Sequence, residues 1–316
     1  MRYGEEMKLK KHVIIIILLS ALVVSTTVYL GYSYMSMLSA DKTWIRDLGY
    51  EQGEIYRLTF NWPGDRSCPE IPVKIESNVY RLGFDTGCGT GLLLTNVIED
   101  KINYTIIGKT EALNRDGSHR GWEKRVLINE ISVFGDTYKD IETSISDWSM
   151  FSSRKFNGLI GLAYFESKII TLDYAGRKIG ISNNPIDYSK LDSNKYVVLP
   201  LYKTTSKGQE TLPFFEAELK GKPITVYLDT GKNYSYIFNP NSKNSMSDKP
   251  REFLDVPLKI GSINISLYDV AEVNDLAHAD GLPYPTMIEL NSDQLWKNNL
   301  LVTFDLIEQK IIFRIP

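Results

Sequence analysis

The chain has few of the residues from which metal sites and disulfide frameworks are built. Its 316 residues include two cysteines, Cys68 and Cys88, and three histidines. Two cysteines are too few for a structural zinc site. Neither His119 nor His278 stands in a metal-binding spacing such as His-Glu-x-x-His, and no serine nucleophile motif is present. The sequence therefore predicts no metal and argues against zinc-dependent and serine hydrolases.

The chain also lacks a strong excess of charge of either sign. Its formal net charge is −3, with 24% charged residues. A nucleic-acid-binding protein would need a basic face, so nucleic acid is not an expected partner. The sequence GCGTG at 87–91 is not a phosphate-binding loop, because the residues that follow it, 92–98, read as a strand rather than a helix.

One apolar run stands apart from the rest of the sequence. Residues 13–30 read VIIIILLSALVVSTTVYL and follow a lysine-rich start, and about 20 apolar residues suffice to cross a bilayer as a helix. The sequence predicts a cytoplasmic N-terminus over 1–12, a transmembrane anchor over 13–35 and a stalk over 36–54, with the rest extracytoplasmic, periplasmic or extracellular. A cleaved signal peptide, giving a secreted protein, remains the alternative, although Leu38 stands where a small residue precedes such a cut.

The remainder of the chain repeats one pattern. Residues 71–87 align without a gap on residues 215–231, and the closing segment 169–181 matches 301–313. Each segment alternates apolar and polar residues around a polar turn, as β-hairpins do. Short segments rich in β-branched residues and separated by Gly, Asn and Asp predict an all-β fold.

The repeat predicts two similar lobes, over 55–190 and 191–316. The first lobe is longer by about 18 residues, which lie within 105–126 and read as a long hairpin with a glycine-rich tip near 116–121. A hairpin that projects from one lobe only would make a cleft between the lobes asymmetric.

The two cysteines flank the first predicted hairpin. The chain is expected to turn near residues 77–78, which brings positions near 68 and 87 opposite each other. A Cys68–Cys88 disulfide is geometrically allowed and, outside the cytoplasm, chemically allowed. Two unpaired thiols are the alternative.

Each half carries Asp-Thr-Gly at the end of an apolar strand, as FDTG at 84–87 and as LDTG at 228–231. An aspartate at such a position is costly to bury unless its charge is used. If Asp85 and Asp229 face each other they cannot both ionise, and they share one proton. The ionised member can then take a proton from a water that attacks a carbonyl carbon, while the protonated member stabilises the oxyanion.

The other residues of the motif support this geometry. Gly87 and Gly231 allow a tight turn and close backbone approach. The hydroxyls of Thr86 and Thr230 can form hydrogen bonds across the junction and hold the carboxylates at a fixed separation.

With these motifs the chain resembles the pepsin-like and retropepsin-like aspartic peptidases, with two Asp-Thr-Gly motifs in one chain. The segment NGLIGLAYFESKIITLDY at 157–174 is similar to the apolar-apolar-Gly element behind the catalytic loop of that family. The resemblance covers residues 55–316. It implies a bilobal β fold with a cleft between the lobes, Asp85 and Asp229 as the catalytic dyad, a polypeptide substrate bound in extended conformation, no cofactor and a monomer.

The resemblance also implies that the hairpin of the first lobe is a flap that closes over substrate. Tyr104 and Trp122 are candidates for the place of the flap tyrosine that pepsin-like enzymes carry. The candidate flap residues are Asp116, Gly117, Ser118, Gly121 and Trp122.

Three positions depart from the family pattern. Cys88 and Lys232 stand directly after the motifs, where the family has a small residue. A lysine there either lowers the pKa values of the pair or extends into solvent. In the second lobe we expect Glu289 in place of Gly161. The sequence thus predicts a membrane-anchored aspartic endopeptidase, with a catalytically inactive peptide-binding or scaffold protein as the alternative.

Overall fold

A computed structural model describes residues 15, 18–27, 42–60, 68–113, 119–147, 156–245, 252–276 and 279–314. The chain divides into two compact units, residues 1–42 and 43–316. In the first unit, residues 18–27 are helical and their apolar side chains are exposed. Among the described residues, no helix has the length and apolar character that crossing a membrane requires. Most of the predicted anchor, 13–35, and the predicted cytoplasmic segment, 1–12, lie outside the described residues.

The second unit is built from β-strands, which confirms the predicted all-β class. Among the described residues of this unit, two short α-helices accompany the strands, α1 (Thr43–Asp47) and α2 (Ser292–Lys297). The 3-10 segments are Gln52–Glu54, Glu99–Lys101, Leu162–Phe165 and Tyr188–Lys190. The strands are β1 (Ile55–Arg57), β2 (Thr59–Phe60), β3 (Pro69–Ile75), β4 (Asn78–Phe84), β5 (Leu92–Thr95), β6 (Thr105–Leu113), β7 (His119–Val133), β8 (Asp136–Ser146), β9 (Gly158–Ile160), β10 (Ile169–Asp173), β11 (Lys178–Ser182), β12 (Tyr196–Pro200), β13 (Phe214–Leu219), β14 (Lys222–Asp229), β15 (Tyr236–Phe238), β16 (Phe253–Ile260), β17 (Ile263–Val273), β18 (Thr286–Asn291), β19 (Leu301–Asp305) and β20 (Lys310–Arg314).

Two sets of six strands follow the same order. The first strand cycle runs β3-β4-β9-β5-β8-β7 and is closed by pairing of β3 with β7, within an eight-stranded sheet that adds β2 and β6. The second strand cycle runs β13-β14-β18-β15-β17-β16 and is a closed barrel. In each cycle the strand that ends at an Asp-Thr-Gly motif pairs parallel with a later strand, β4 with β9 and β14 with β18. The gapless repeat in the sequence corresponds to the hairpins β3–β4 and β13–β14.

A third sheet draws strands from both halves of the chain. This shared sheet has the order β1-β11-β10-β19-β20-β12, with β10 and β19 antiparallel at its centre. There the buried hydroxyls of Thr171 and Thr303 lie 2.7 Å apart. The hairpin turns on either side are alike: the Gly176 amide donates to Asp173 Oδ1, and the Glu308 amide donates to Asp305 Oδ1 at 2.9 Å.

The three sheets share one hydrophobic core. Alternate side chains of a strand point to the same face, so each sheet contributes one apolar face to the cluster. Its buried members include Val73 and Phe84 from the first cycle, Val226 from the second, and Ile170 and Phe304 from the shared sheet. The core therefore fixes the two motif-bearing strands, β4 and β14, on a common support.

Part of the predicted stalk over 36–54 is instead packed against the shared sheet. Trp44 of α1 is fully buried and its indole N–H donates to Asp173 Oδ2 at 3.0 Å. The Tyr50 hydroxyl lies 2.8 Å from Thr171 Oγ1. In the sequence, Trp44 and Tyr50 stand among polar residues, which is why a stalk was predicted. Because both side chains are buried against the shared sheet, the stalk prediction is wrong for residues 43–54.

The structure has no disulfide between Cys68 and Cys88, so the bridge that the sequence allowed is not formed. Glu70 pairs with Gly83, and Cys68 Sγ lies 3.9 Å from the carbonyl of Phe84, beside the end of β4. The chain then turns sharply after Asp85, which carries the Cys88 thiol to Thr90 Oγ1, 3.7 Å away. Continued in the same register, the hairpin would place Cys68 opposite Asp85 rather than Cys88, and the turn at the motif directs the Cys88 side chain elsewhere.

Trp44→Ala tests whether α1 is part of the folded unit. Emptying a fully buried tryptophan site should lower the free energy of unfolding by about 3–5 kcal/mol, measured by denaturant titration of the full-length chain. Trp122→Ala is the matched control, because Trp122 is 62% exposed and its loss should change stability by no more than about 0.5 kcal/mol. Equal effects of the two substitutions would contradict the packing of α1.

Candidate active site

The two Asp-Thr-Gly motifs form matching turns at the ends of β4 and β14. The Cys88 amide donates to the carbonyl of Asp85 at 3.0 Å, and the Lys232 amide donates to that of Asp229 at 3.4 Å. Within each turn the glycine amide returns to its own aspartate: Gly87 N to Asp85 Oδ1 is 2.8 Å, and the equivalent distance at Asp229 is 2.9 Å. Each carboxylate is therefore fixed by its own backbone.

The two turns are joined by four hydrogen bonds that run through the threonines. The amide of Thr86 donates to Thr230 Oγ1 at 2.9 Å, and the amide of Thr230 donates to Thr86 Oγ1 at 3.0 Å. Each hydroxyl in turn donates across the junction, that of Thr86 to the Leu228 carbonyl at 2.6 Å and that of Thr230 to the Phe84 carbonyl at 2.7 Å. All of these groups are buried. Each threonine therefore locks the strand of the other motif as well as its own.

This arrangement brings Asp85 and Asp229 into direct contact. Each carboxyl group acts on the pKa of the other, and the residues are 9% and 5% exposed. A methyl group built on Gly87 would overlap the carboxylate of Asp229, and one on Gly231 would overlap that of Asp85. The motif glycines are required because the opposing acid occupies the space of a side chain.

Burial raises the pKa of both aspartates. Loss of hydration is the largest cause for each. For Asp229 the neighbouring charge of Asp85 adds to burial and raises the pKa to about 8. Because two adjacent buried carboxyls cannot both ionise, the pair holds one proton between them.

A tyrosine that the sequence analysis did not single out also reaches this pair. The Tyr227 hydroxyl donates to Asp229 Oδ2 at 3.4 Å, and the residue is buried. Residues two apart on a strand share a face, so its position in YLDTG is the signal that could have identified it.

Cys88 contributes a neutral thiol beside the dyad. Burial, reinforced by the charge of Asp85, raises its pKa to about 12, so the side chain carries no charge near neutral pH. The Gly161 amide donates to the Gly91 carbonyl at 2.7 Å, and a methyl group on Gly161 would overlap the Cys88 carbonyl. This glycine lets the 158–162 segment pack directly behind the first motif turn.

The residue in place of Gly161 in the second half is Asn291, not Glu289 as predicted. Phe84 pairs with Ile160 and Leu228 pairs with Leu290, so the structural register differs by two residues from the alignment of the sequences. The Asn291 amide group donates to the Lys232 carbonyl at 3.3 Å, and its side-chain oxygen caps α2. A polar side chain replaces the direct backbone contact that glycine permits.

Glu289 instead faces the turn after the second motif. Its Oε1 lies 3.5 Å from Nζ of Lys232, and its side chain is 1% exposed whereas that of Lys232 is 38% exposed. Lys232 and Glu289 thus form an ion pair.

The predicted hairpin of 105–126 is present as β6 and β7, which pair from Thr105↔Leu127 to Leu113↔His119. Of the candidate flap residues, Asp116, Gly117 and Ser118 lie outside the described residues. Gly121 and Trp122 lie on β7, where Trp122 is largely exposed. The Tyr104 hydroxyl donates to Glu99 Oε1 at 2.7 Å.

Within the described part of the chain, no three His, Cys, Asp or Glu side chains lie together as ligands of a metal ion would. The residues available at the site are therefore two carboxyls, a tyrosine hydroxyl, a thiol and one ion pair. Such a set can move protons to and from a bound water.

Thr230→Val should weaken the junction between the motifs. The change leaves the Thr86 amide and the Phe84 carbonyl without their partners, and each buried unsatisfied group costs about 1–3 kcal/mol. We expect the free energy of unfolding to fall by about 2–4 kcal/mol in denaturant titrations. Thr137→Val, at an exposed threonine of β8, is the control, and a loss no larger than that of the control would contradict the role of the bridging hydroxyl.

Asp229→Asn should stabilise the fold at alkaline pH. A carboxyl whose pKa is raised on folding contributes stability that is fully present below its unfolded pKa, about 3.9, and is lost as pH rises through its folded value. That value is about 8 for Asp229. Since asparagine does not titrate, the variant should gain at least about 1 kcal/mol over the parent between pH 4 and pH 9.

The measurement is the melting temperature or denaturant midpoint at several pH values. The exposed carboxyl of Asp100 offers the matched control, Asp100→Asn, which should follow the pH dependence of the parent. A parallel pH dependence of Asp229→Asn and parent would mean that the buried carboxyl titrates normally.

No model of a known protein family matches this chain, and no curated protein is significantly similar to it. The function is therefore inferred from the geometry of the site.

Proposed function

We propose that the protein is an aspartic endopeptidase, which hydrolyses peptide bonds with a water molecule activated by Asp85 and Asp229. The observation that carries the proposal is the contact between two buried carboxyl groups, each fixed by its own glycine amide and joined to the other through the threonines. The repeated strand cycles support the further proposal that the fold is pepsin-like, with two β lobes and a substrate cleft between them.

The reaction uses the one proton that the pair shares, and we assign the role of the carboxylate to Asp85 and that of the acid to Asp229. Asp85, as the carboxylate, accepts a proton from water while the water oxygen bonds to the carbonyl carbon of the substrate. Asp229 gives its proton to the carbonyl oxygen, so that no buried oxyanion is left uncompensated. Asp85 then passes its proton to the amide nitrogen, the C–N bond breaks, and a proton returns from the diol to Asp229. The pair ends with the single proton with which it began.

The substrate class follows from the β architecture. An extended peptide can pair with strand edges through its backbone and places little demand on side-chain identity. We propose an extended polypeptide as the substrate and the β6–β7 hairpin as the flap over it.

We also propose that the protein is a monomer, tethered by residues 13–35 with its catalytic part outside the cytoplasm, or secreted if that segment is cleaved.

A second candidate function is peptide binding without cleavage. The observation that favours it is Lys232, a cation directly after the second motif, because a positive charge there favours ionisation of both carboxyls and would remove the proton that catalysis needs. A pepstatin-type mimic of the tetrahedral intermediate distinguishes the two candidates, since it should bind a dyad that holds one proton and bind weakly to a doubly ionised pair.

Asp85→Asn and Asp229→Asn should each abolish cleavage of an unfolded protein substrate by the full-length chain. Each substitution removes one of the two proton-transfer groups, so the rate should fall by at least about 10³-fold. In the parent, activity should be lost as pH rises through about 8, the pKa of Asp229, and lost in acid once Asp85 is protonated.

Asp100→Asn is the control for loss of a single carboxylate and should leave the rate unchanged. Cleavage by both dyad variants at the parent rate would refute the mechanism. Absence of cleavage by the parent together with weak binding of the inhibitor would favour the peptide-binding alternative.

A further inference from the structure

The ion pair of Lys232 and Glu289 lies beside the dyad in the second half of the chain. Lys232 is the residue directly after Asp229-Thr230-Gly231, and its Nζ is 3.5 Å from Glu289 Oε1. Glu289 is the more buried member, with 1% of its side chain exposed. A buried carboxylate is costly unless a charge or hydrogen bonds compensate for it, and the Lys232 ammonium supplies such a charge.

Glu289 is held in place by the barrel. Its strand, β18, lies between β14 and β15, and its Cα pairs with Tyr227 on one side and Tyr236 on the other. Tyr227 is the tyrosine whose hydroxyl reaches Asp229. The carboxylate that attracts Lys232 is thus fixed on the strand next to the one that carries a catalytic aspartate.

The first half of the chain has no counterpart of this pair. The residue equivalent to Lys232 by the repeat is Cys88, and the residue equivalent to Glu289 by strand register is Leu159. At these equivalent positions only the second half carries charged side chains, although the motif turns of the two halves otherwise match.

We propose that Glu289 holds the ammonium of Lys232 beside the dyad, and that the two opposite charges together set the pH range in which Asp85 and Asp229 share one proton. Lys232 and Glu289 are positioning residues in this proposal. Its effect on the pH–rate profile rests on the proposed peptidase function, whereas its effect on the titration of Asp229 does not.

The charges act on the dyad in opposite directions. Burial is the main cause of the raised pKa values. Against it, Lys232 lowers the pKa of both aspartates, while Glu289 raises the pKa of Asp85. The Cys88 thiol and the Tyr227 hydroxyl also lie close to the dyad, and Cys88 is neutral at the pH of interest because burial raises its pKa to about 12. The balance between the charges of Lys232 and Glu289 thus determines how far the pKa values of Asp85 and Asp229 differ from those that burial alone would give.

Single substitutions should shift the pH dependence in opposite directions. Lys232→Met removes the cation and leaves the acid, so the alkaline limb of the pH–rate profile should move up by about one pH unit. Glu289→Gln leaves the cation uncompensated, so the same limb should move down by about one unit. The double variant replaces a neutral pair with another neutral pair and should return to within about 0.3 units of the parent.

A second readout does not depend on cleavage. For each variant, the stability gained by adding Asp229→Asn is measured against pH, and the midpoint of that gain reports the titration of Asp229. The midpoints should shift in the same opposite directions as the kinetic limbs. If the parent does not cleave, the peptidase function fails while these midpoints still test the ion pair.

Two control variants separate charge from packing. Lys232→Arg keeps the charge and should leave both readouts unchanged. Lys259→Met removes an exposed cation of the same strand cycle, which pairs with Glu218 at 3.1 Å, and should also leave them unchanged. Shifts of the same sign for Lys232→Met and Glu289→Gln, or the absence of any shift in the folded variants, would overturn the proposal. Should Glu289→Gln fail to fold, a shift for Lys232→Met without one for Lys232→Arg still supports it, and equal behaviour of these two refutes it.

Discussion

The four hydrogen bonds of Thr86 and Thr230 are the constraint on which the site depends. Each threonine accepts from the backbone of the opposite motif and donates to the strand that leads into it. Neither half can shift without breaking buried bonds of both, and unmade buried bonds are costly. The position of Asp85 against Asp229 is therefore set by neutral groups, which leaves the carboxyls free to exchange a proton without holding the halves together.

The shared sheet contains a second contact between equivalent threonines of the two halves. Strands β10 and β19 meet at its centre, where the hydroxyls of Thr171 and Thr303 lie in contact. The turns at Asp173 and Asp305 are capped in the same way on both sides. A duplicated sequence can build such an arrangement because each half supplies the same hydrogen-bond donors and acceptors. When equivalent residues of the two halves meet, the donors of each half find acceptors on the other.

Short segments rich in β-branched residues predicted the β class, and the gapless repeat that ends in Asp-Thr-Gly predicted the hairpins and the proximity of the two acids. Contacts between distant segments outside this repeat could not be predicted. Trp44 lies in a polar stretch, and its burial depends on Asp173, more than a hundred residues away. The assignment of Glu289 failed for a related reason, since alignment by letter could not detect a two-residue change in the parallel pairing of β14 with β18.

That change of register explains why a lysine is compatible with a site of this kind. Taken from the sequence alone, Lys232 beside a dyad leaves a catalytically inactive protein as an alternative, because a nearby cation favours ionisation of both carboxyls. With Glu289 on the adjacent strand, the charge added at the turn is opposed by a charge that the barrel keeps buried. Only Glu289 is buried in this pair, since the side chain of Lys232 is 38% exposed, and such a pair contributes little to stability once the desolvation of the acid is included. Its electrostatic effect on Asp85 and Asp229 is therefore a more direct reason for its presence than the stability of the fold.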